Sequence, residues 1–203
     1  MNDRDQSAEA RTPGPALYAL ACVDQVVRGR RLPPIPAHPL YERRAACFVT
    51  LKKRGELRGC IGTLLPAETS LGREIGRNAR AAAFDDPRFP PVRADELESL
   101  ECSVDILGPS RPCELDDLDP ARYGVIVRAG LRRGVLLPDL AGVDTVARQV
   151  GIALQKAGIS PEQPFHVERF RVTRCHAHDS ADDILAALAH LEEDPPIVGE
   201  ADA

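Results

Sequence analysis

From Pro15 onward, apolar residues recur at spacings of three and four, at Leu17, Leu20, Val23 and Val27. That period predicts an amphipathic helix, and Gly29 is placed to end it. Leu32-Pro33-Pro34-Ile35-Pro36 then excludes both a helix interior and a central strand, so it reads as an extended surface connector. The period next changes to that of strands. Ala46 to Leu51 and Leu57 to Leu64 flank the polar, glycine-containing Lys52-Lys53-Arg54-Gly55-Glu56, which predicts a β-hairpin.

Ser70 to Phe84 is helical in pattern, with Leu71, Ile75, Ala79 and Ala82 on one face and Asp85-Asp86-Pro87 as the stop. Leu97 and Leu100 mark a short helical turn. Glu101 to Leu107 alternates, with Cys102, Val104 and Ile106 on one strand face. Tyr123–Arg128 and Val135–Leu137 predict a second hairpin around residues 129–134. A helix follows from Thr145 to Ala157, with Asp144 as N-cap and Gly158 as stop. Phe165 to Val172 reads as a last strand, and Ser180 caps a final helix, Ala181 to Glu192, with Ile184, Leu185 and Leu188 apolar. Strands thus arrive as hairpins separated by helices, which predicts an α+β fold with a mostly antiparallel sheet flanked by helices. The expected organisation is a disordered N-terminal tail over 1–14, a main domain over 15–174, a linker and helix over 175–193, and an acidic tail over 194–203.

Composition narrows the class. Of the 203 residues, 43% are hydrophobic, which fits a globular chain. Aromatics make up 4% with no Trp, so the core rests on Val, Leu, Ile and Ala. A formal net charge of -5 argues against a general affinity for phosphate backbones. No apolar run approaches the ~18 residues of a membrane span, and the N-terminus lacks a secretory layout, so the expected location is cytoplasmic. The six cysteines are widely spaced with no Cys-x-x-Cys, and read as reduced thiols, mostly small core residues.

The segment around Cys60 carries the strongest candidate chemistry. Alternation puts Leu57, Gly59, Ile61 and Thr63 on one face, with Leu57 and Ile61 toward the core. Arg58, Cys60, Gly62 and Leu64 take the other, with Arg58 about 7 Å from Cys60 along the strand. A guanidinium there would favour the thiolate. Gly59 and Gly62 would open the backbone to a ligand, so the segment could be a nucleophile or an anion-binding spot. The alternative reading is a packing cysteine with glycines that permit a bulge. No histidine is close in sequence, so no general base is assigned. Asp85, Asp86 and Arg88 read either as turn chemistry or as a carboxylate and cation bordering a site. Cys175-His176-Ala177-His178-Asp179 offers zinc-type ligands, but fewer than a structural site needs, and reads as a polar linker. Arg73, Arg77 and Arg80, with Lys52, Lys53 and Arg54, read as solvated charge before they read as an RNA patch.

The order of these segments is recognisable. Leu57-Arg58-Gly59-Cys60-Ile61-Gly62-Thr63 resembles the hallmark of the AMMECR domain family. Phe48-Val49-Thr50-Leu51 precedes it at the expected place, and Ala82 to Val92, containing Asp85-Asp86-Pro87-Arg88, resembles the second signature. Cys102 to Leu107, Gly134 to Pro138 and Lys156 to Ile159 resemble later segments, so the likeness spans roughly 17–174. It is nearest the bacterial AmmeMemoRadiSam system protein A type. The resemblance implies an α+β fold with a larger and a smaller subdomain around a cleft. It implies an active or binding site at Leu57–Gly62, with Cys60 as the catalytic candidate. Arg58, Gly59, Gly62, Asp86 and Arg88 are the binding candidates. It also implies Memo-type and radical SAM partner proteins. No cofactor is expected. Two functions stay open, a thiol-dependent enzyme and a non-catalytic adaptor or binding module, with RNA binding a third and weaker one.

Overall fold

The structure is a computed structural model that describes residues 11–191. Helix α1 (Pro15–Val27) begins on a proline, whose fixed φ suits a first helical turn and whose missing N–H costs nothing there. The proline-rich connector leads to a short helix α2 (Pro39–Glu42). Strands β1 (Cys47–Lys53) and β2 (Glu56–Gly62) form the first hairpin. Its turn is tighter than the sequence suggested: Arg54 and Gly55, with φ of 54° and 81°, make a two-residue loop that matches strand twist.

Helix α3 (Leu71–Phe84) is capped by the Ser70 hydroxyl, which accepts the Arg73 N–H. A 3-10 turn (Ala94–Ser99) delivers β3 (Leu100–Leu107). Strands β4 (Arg111–Pro112), β5 (Gly124–Ala129) and β6 (Arg132–Leu136) follow, then α4 (Val146–Ala157), β7 (His166–Phe170), β8 (Val172–Cys175) and α5 (Ala181–Leu191). The strands make two antiparallel sheets, in the orders β2-β1-β3-β8 and β4-β7-β5-β6.

Each sheet has its own core. Val49 and Leu51 of β1 and Val104 and Ile106 of β3 are buried with residues of α1, α3 and α5. Each such side chain contributes roughly 1.5–3 kcal/mol by leaving water. Val125, Val127 and Leu136 of the second sheet pack on Val150, Ala153 and Leu154 of α4. Ile184 and Leu188 of α5 lie in the first core, so that helix packs on its own chain.

Several expectations needed correction. The N-cap of α4 is Thr145, whose hydroxyl accepts the Arg148 N–H at 3.2 Å, not Asp144. Gly158 does end the helix, at φ 62°, with the left-handed geometry glycine allows. The loop of the second hairpin is only Gly130 and Leu131, and the six residues expected there are largely strand. The single strand expected over 165–172 is two strands in different sheets, because β7 pairs with β5 and β4 while β8 pairs with β3. Arg171 makes the crossing, and its carbonyl accepts the N–H of Gly108, where the chain crosses from β3 to β4. Residues 11–14, assigned by sequence to the N-terminal tail, are seated: Pro13 bridges Ser180, and Arg11 pairs with Asp183 at 2.8 Å. The rest of that tail and the acidic tail lie outside the described residues. Among the described residues no helix is long and apolar enough to cross a membrane.

Candidate functional site

The pairing of β1 with β2 shifts register at one place. Leu51 faces Gly59 and Lys52 faces Leu57, which leaves Arg58 without a partner on β1. Arg58 is the extra residue of a β-bulge, and the bulge reverses the alternation beyond it. Leu57 therefore shares a face with Lys52 and Cys60 and is 41% exposed, where the sequence placed it in the core. Arg58 turns away from Cys60. Its Nε and Nη2 bind the two oxygens of Glu96 at 3.0 and 2.9 Å, and Lys53 joins the same carboxylate at 2.9 Å. These cations hold the Glu96 carboxyl down at about 2 against its own desolvation, the Arg58 hydrogen bonds being the largest influence. The expected Arg58–thiol pair is thus replaced by a structural ion pair that fastens the hairpin to the 3-10 turn.

Cys60 sits on an edge strand, opposite Thr50. Its N–H donates to Asp86 Oδ2 at 2.8 Å and its carbonyl accepts from Arg88 Nη2 at 3.3 Å. Both backbone groups point outward from the sheet, and the Asp86–Arg88 pair takes the place of the missing neighbouring strand. Arg88 binds both oxygens of Asp86 with Nε and Nη2, at 2.9 and 2.7 Å, and its own N–H adds a third bond at 3.1 Å. Asp86 is 3% exposed, and the Arg88 hydrogen bonds hold its carboxyl far below the usual range. Edge strands need such covers to avoid pairing with other chains.

The Cys60 thiol lies 3.1 Å from Thr50 Oγ1. Burial pushes its pKa up. The Thr50 hydrogen bond and the Arg88 charge pull the other way without prevailing. The expected activated thiolate is therefore not what this environment favours. Thr50 pairs with Cys60 on one side and Ser103 on the other, so a thiol and two hydroxyls stand in a row across three strands. This row floors a cavity of about 500 Å³, whose other walls include Lys52, Asp105, Arg174 and His176, and Leu137, Asp139, Leu140 and Ala141 from the loop after β6. Buried Asp105 is held by Arg174 at 2.7 Å, and Arg174 reaches Asp139 at 3.9 Å, a residue with left-handed φ of 53°.

The glycines have a local explanation. A Cβ on Gly59 would stand 2.2 Å from the Ala82 carbonyl oxygen of α3, and one on Gly62 would stand 2.3 Å from the Phe48 ring. Both admit neighbouring protein, not an open approach for a ligand.

Residues 16–176 match the family model described as AMMECR1. The chain belongs to the AMMECR1 family. A Thermotoga maritima protein is 52% identical over 161 residues, covering 77% of this chain and 92% of that protein. A Clostridium acetobutylicum protein is 39% identical over 176 residues, covering 85% of this chain and 38% of that longer protein. The crystal structure of an uncharacterized protein from Pyrococcus horikoshii superposes with a TM-score of 0.71 at 27% identity, covering 79% of this chain and 88% of the other.

In this AMMECR1 chain, four of the six candidate positions, Gly59, Cys60, Asp86 and Arg88, meet at one stretch of β2, while Arg58 is drawn to Glu96 and Gly62 packs under Phe48. Ser103, Asp105 and Arg174 were not singled out from sequence, and His176 was weighed only as a zinc-type ligand, yet all four line the same cavity as Cys60. Asp105 carried no signal of its own, because it falls in the polar slots of the β3 alternation with Glu101 and Ser103. Nothing in the sequence tied His176 to Cys60, because it is the residue after the end of β8 that the β3–β8 pairing brings there. Cys175, read with the two histidines as a possible ligand group, is fully buried, while His176 and His178 stack at 5.6 Å outside. Among the described residues no group of three or more His, Cys, Asp or Glu is arranged to hold a metal ion.

Proposed function

We propose that this AMMECR1-family protein binds a small polar ligand in the cavity floored by Thr50, Cys60 and Ser103, and that partner proteins recognise the loaded form. The observation that carries this reading is the row of three small polar side chains set among charged walls. Such a floor offers several donors and acceptors at strand spacing, which suits orientation of a polar molecule. The thiol takes part as a neutral hydrogen-bonding group, because burial raises its pKa and its Sγ contacts a hydroxyl rather than a base. Arg58, Asp86 and Arg88 act by holding the strand that presents it. The AmmeMemoRadiSam system protein A type, with Memo-type and radical SAM partners, belongs to this reading and rests on the series of signature segments.

The test uses the thiol as reporter. Small-molecule fractions of a cell extract are added to the protein, and iodoacetamide labelling of Cys60 is followed with Cys113 as internal control. A ligand fraction slows labelling at Cys60 and leaves Cys113 unchanged. If no fraction protects Cys60, the cavity is not a ligand site.

A second reading is a thiol-dependent enzyme, favoured by the presence of His176 in the same cavity as Cys60. The two readings divide on Cys60→Ser, which preserves ligand binding and cellular function in the first and abolishes turnover in the second.

A further inference from the structure

Arg174 brings a guanidinium to the wall of the cavity that Thr50, Cys60 and Ser103 floor. Its Nε and Nη2 bind the two oxygens of buried Asp105 at 2.7 and 3.4 Å, so the planar fork is held from inside the sheet. The remaining nitrogen, Nη1, faces Asp139 Oδ2 at 3.9 Å, beyond hydrogen-bond reach. An oriented cationic donor thus stands at the cavity wall with no hydrogen-bond acceptor among the described residues.

Asp139 is loosely placed for an ion-pair partner. Its side chain is 77% exposed, and its backbone holds a left-handed φ that few non-glycine residues adopt. A carboxylate in that position is free to turn into water and leave Nη1 to another oxyanion. The other wall charges do not contend for the place. Asp105 has both oxygens on Arg174, and Glu101 lies directly opposite Lys52 on the neighbouring strand. Sheet order also sets a length. Cys60 on β2 and Arg174 on β8 are three strand spacings apart, about 14 Å at 4.7–4.9 Å each.

Resting on the ligand-binding reading above, we propose that the ligand is an elongated polar molecule with a terminal oxyanion, a carboxylate or a phosphate. That group takes Arg174 Nη1 and displaces Asp139, while the other end of the molecule meets Thr50 and Cys60. Asp139 then sets specificity: it holds the place until an anion replaces it, and a neutral molecule has nothing to offer Arg174 in exchange.

The chain has no Trp, so Ala141→Trp, on the cavity wall two residues from Asp139, gives a single fluorescent reporter. Succinate and inorganic phosphate are titrated at fixed ionic strength, with succinamide as the neutral control. At least one anion is expected to change the emission saturably, and succinamide is not; the tighter anion names the group. Adding Asp139→Asn is expected to tighten that anion severalfold, because the resident carboxylate no longer competes. Arg174→Lys, which keeps the charge but loses the fork, weakens it severalfold. Since Arg174→Lys also disturbs buried Asp105, the Asp139→Asn result decides. No saturable response in the Asp139→Asn background, an equal response to succinamide, or weaker anion binding in that variant each overturn the proposal. Cys60 labelling separates this from the reading it rests on. Extract fractions that protect Cys60 but pass through an anion exchanger mean a cavity ligand without an oxyanion, and only the proposal falls. If no fraction protects Cys60, the ligand-binding reading falls and the proposal with it.

Discussion

The Asp86 carboxylate accepts the Cys60 N–H at 2.8 Å while both of its oxygens are held by the Arg88 guanidinium. The second signature segment therefore acts on the first: it caps the edge of β2 at the residue whose thiol faces the cavity. Asp86→Ala removes an acceptor from an outward N–H and leaves Arg88 without its partner. A loss of about 2–4 kcal/mol is expected from breaking a pair with one buried member. Urea unfolding measures it, and wild-type stability would sink the capping role. Asp86→Asn keeps one acceptor oxygen and is expected to fall between the two.

Burial outweighs every favourable influence at Cys60, so its alkylation rate is expected to rise with pH through an inflection above the ordinary thiol value of about 8.5. Thr50→Val removes the hydrogen bond that favours the thiolate and moves the inflection further up. Peptide-resolved labelling across a pH series checks both. An inflection at or below the ordinary value would show an activated nucleophile and turn the balance to the enzyme reading.

Glu96 links acid stability to the hairpin. Its folded carboxyl is held at about 2, below the unfolded value of about 4.3. As pH falls, the unfolded chain takes up this proton first, so the stabilisation is complete above about pH 5 and is lost on the way down to about 2. Asp86, lowered in the same sense, adds to the same acid limb. Glu96→Gln is expected to flatten that limb and to cost about 3 kcal/mol at neutral pH, because Arg58 is left buried without its carboxylate. Unfolding midpoints measured from pH 7 to pH 2 would show it. An unchanged slope would remove Glu96 from the account.

Local periodicity was enough for most elements, because α3, α4 and β3 each bury one face and their sequences repeat at the matching period. It failed where a single residue resets the period. Arg58 is such a residue: strict alternation through the bulge put Leu57 inward and Arg58 beside the thiol, and the register shift reverses both. The crossing at Arg171 was hidden for a related reason, since strand pattern does not say which sheet a residue joins. Long-range charge was the least legible. Glu74 looks like an exposed helix residue, yet it is fully buried and accepts the N–H groups of Ala67 and Glu68 at 2.9 and 2.7 Å and the hydroxyl of Thr63. The candidate site was legible through its family signatures, while the cavity walls at Asp105, Arg174 and His176 depended on β8 pairing with β3.

The glycines of the hallmark separate scaffold from recognition. Gly59 faces the backbone of α3, and a Cβ there would meet the Ala82 carbonyl oxygen at 2.2 Å. A helix backbone cannot swing aside, so β2 must lift off α3, and Gly59→Ala is expected to cost about 2–4 kcal/mol. Gly62 meets the half-buried Phe48 ring at 2.3 Å and the Cys47 carbonyl oxygen at 2.7 Å. The ring can rotate away although the carbonyl cannot, so Gly62→Ala is expected to cost less, about 1–3 kcal/mol. Loss of function in either variant therefore says nothing about ligand binding until stability has been measured. Urea midpoints for both, set beside that of Cys60→Ser, are the check. Equal stability of Gly59→Ala and wild type would show that α3 and β2 are less closely packed here, and would return Gly59 to the set of residues that could face a ligand.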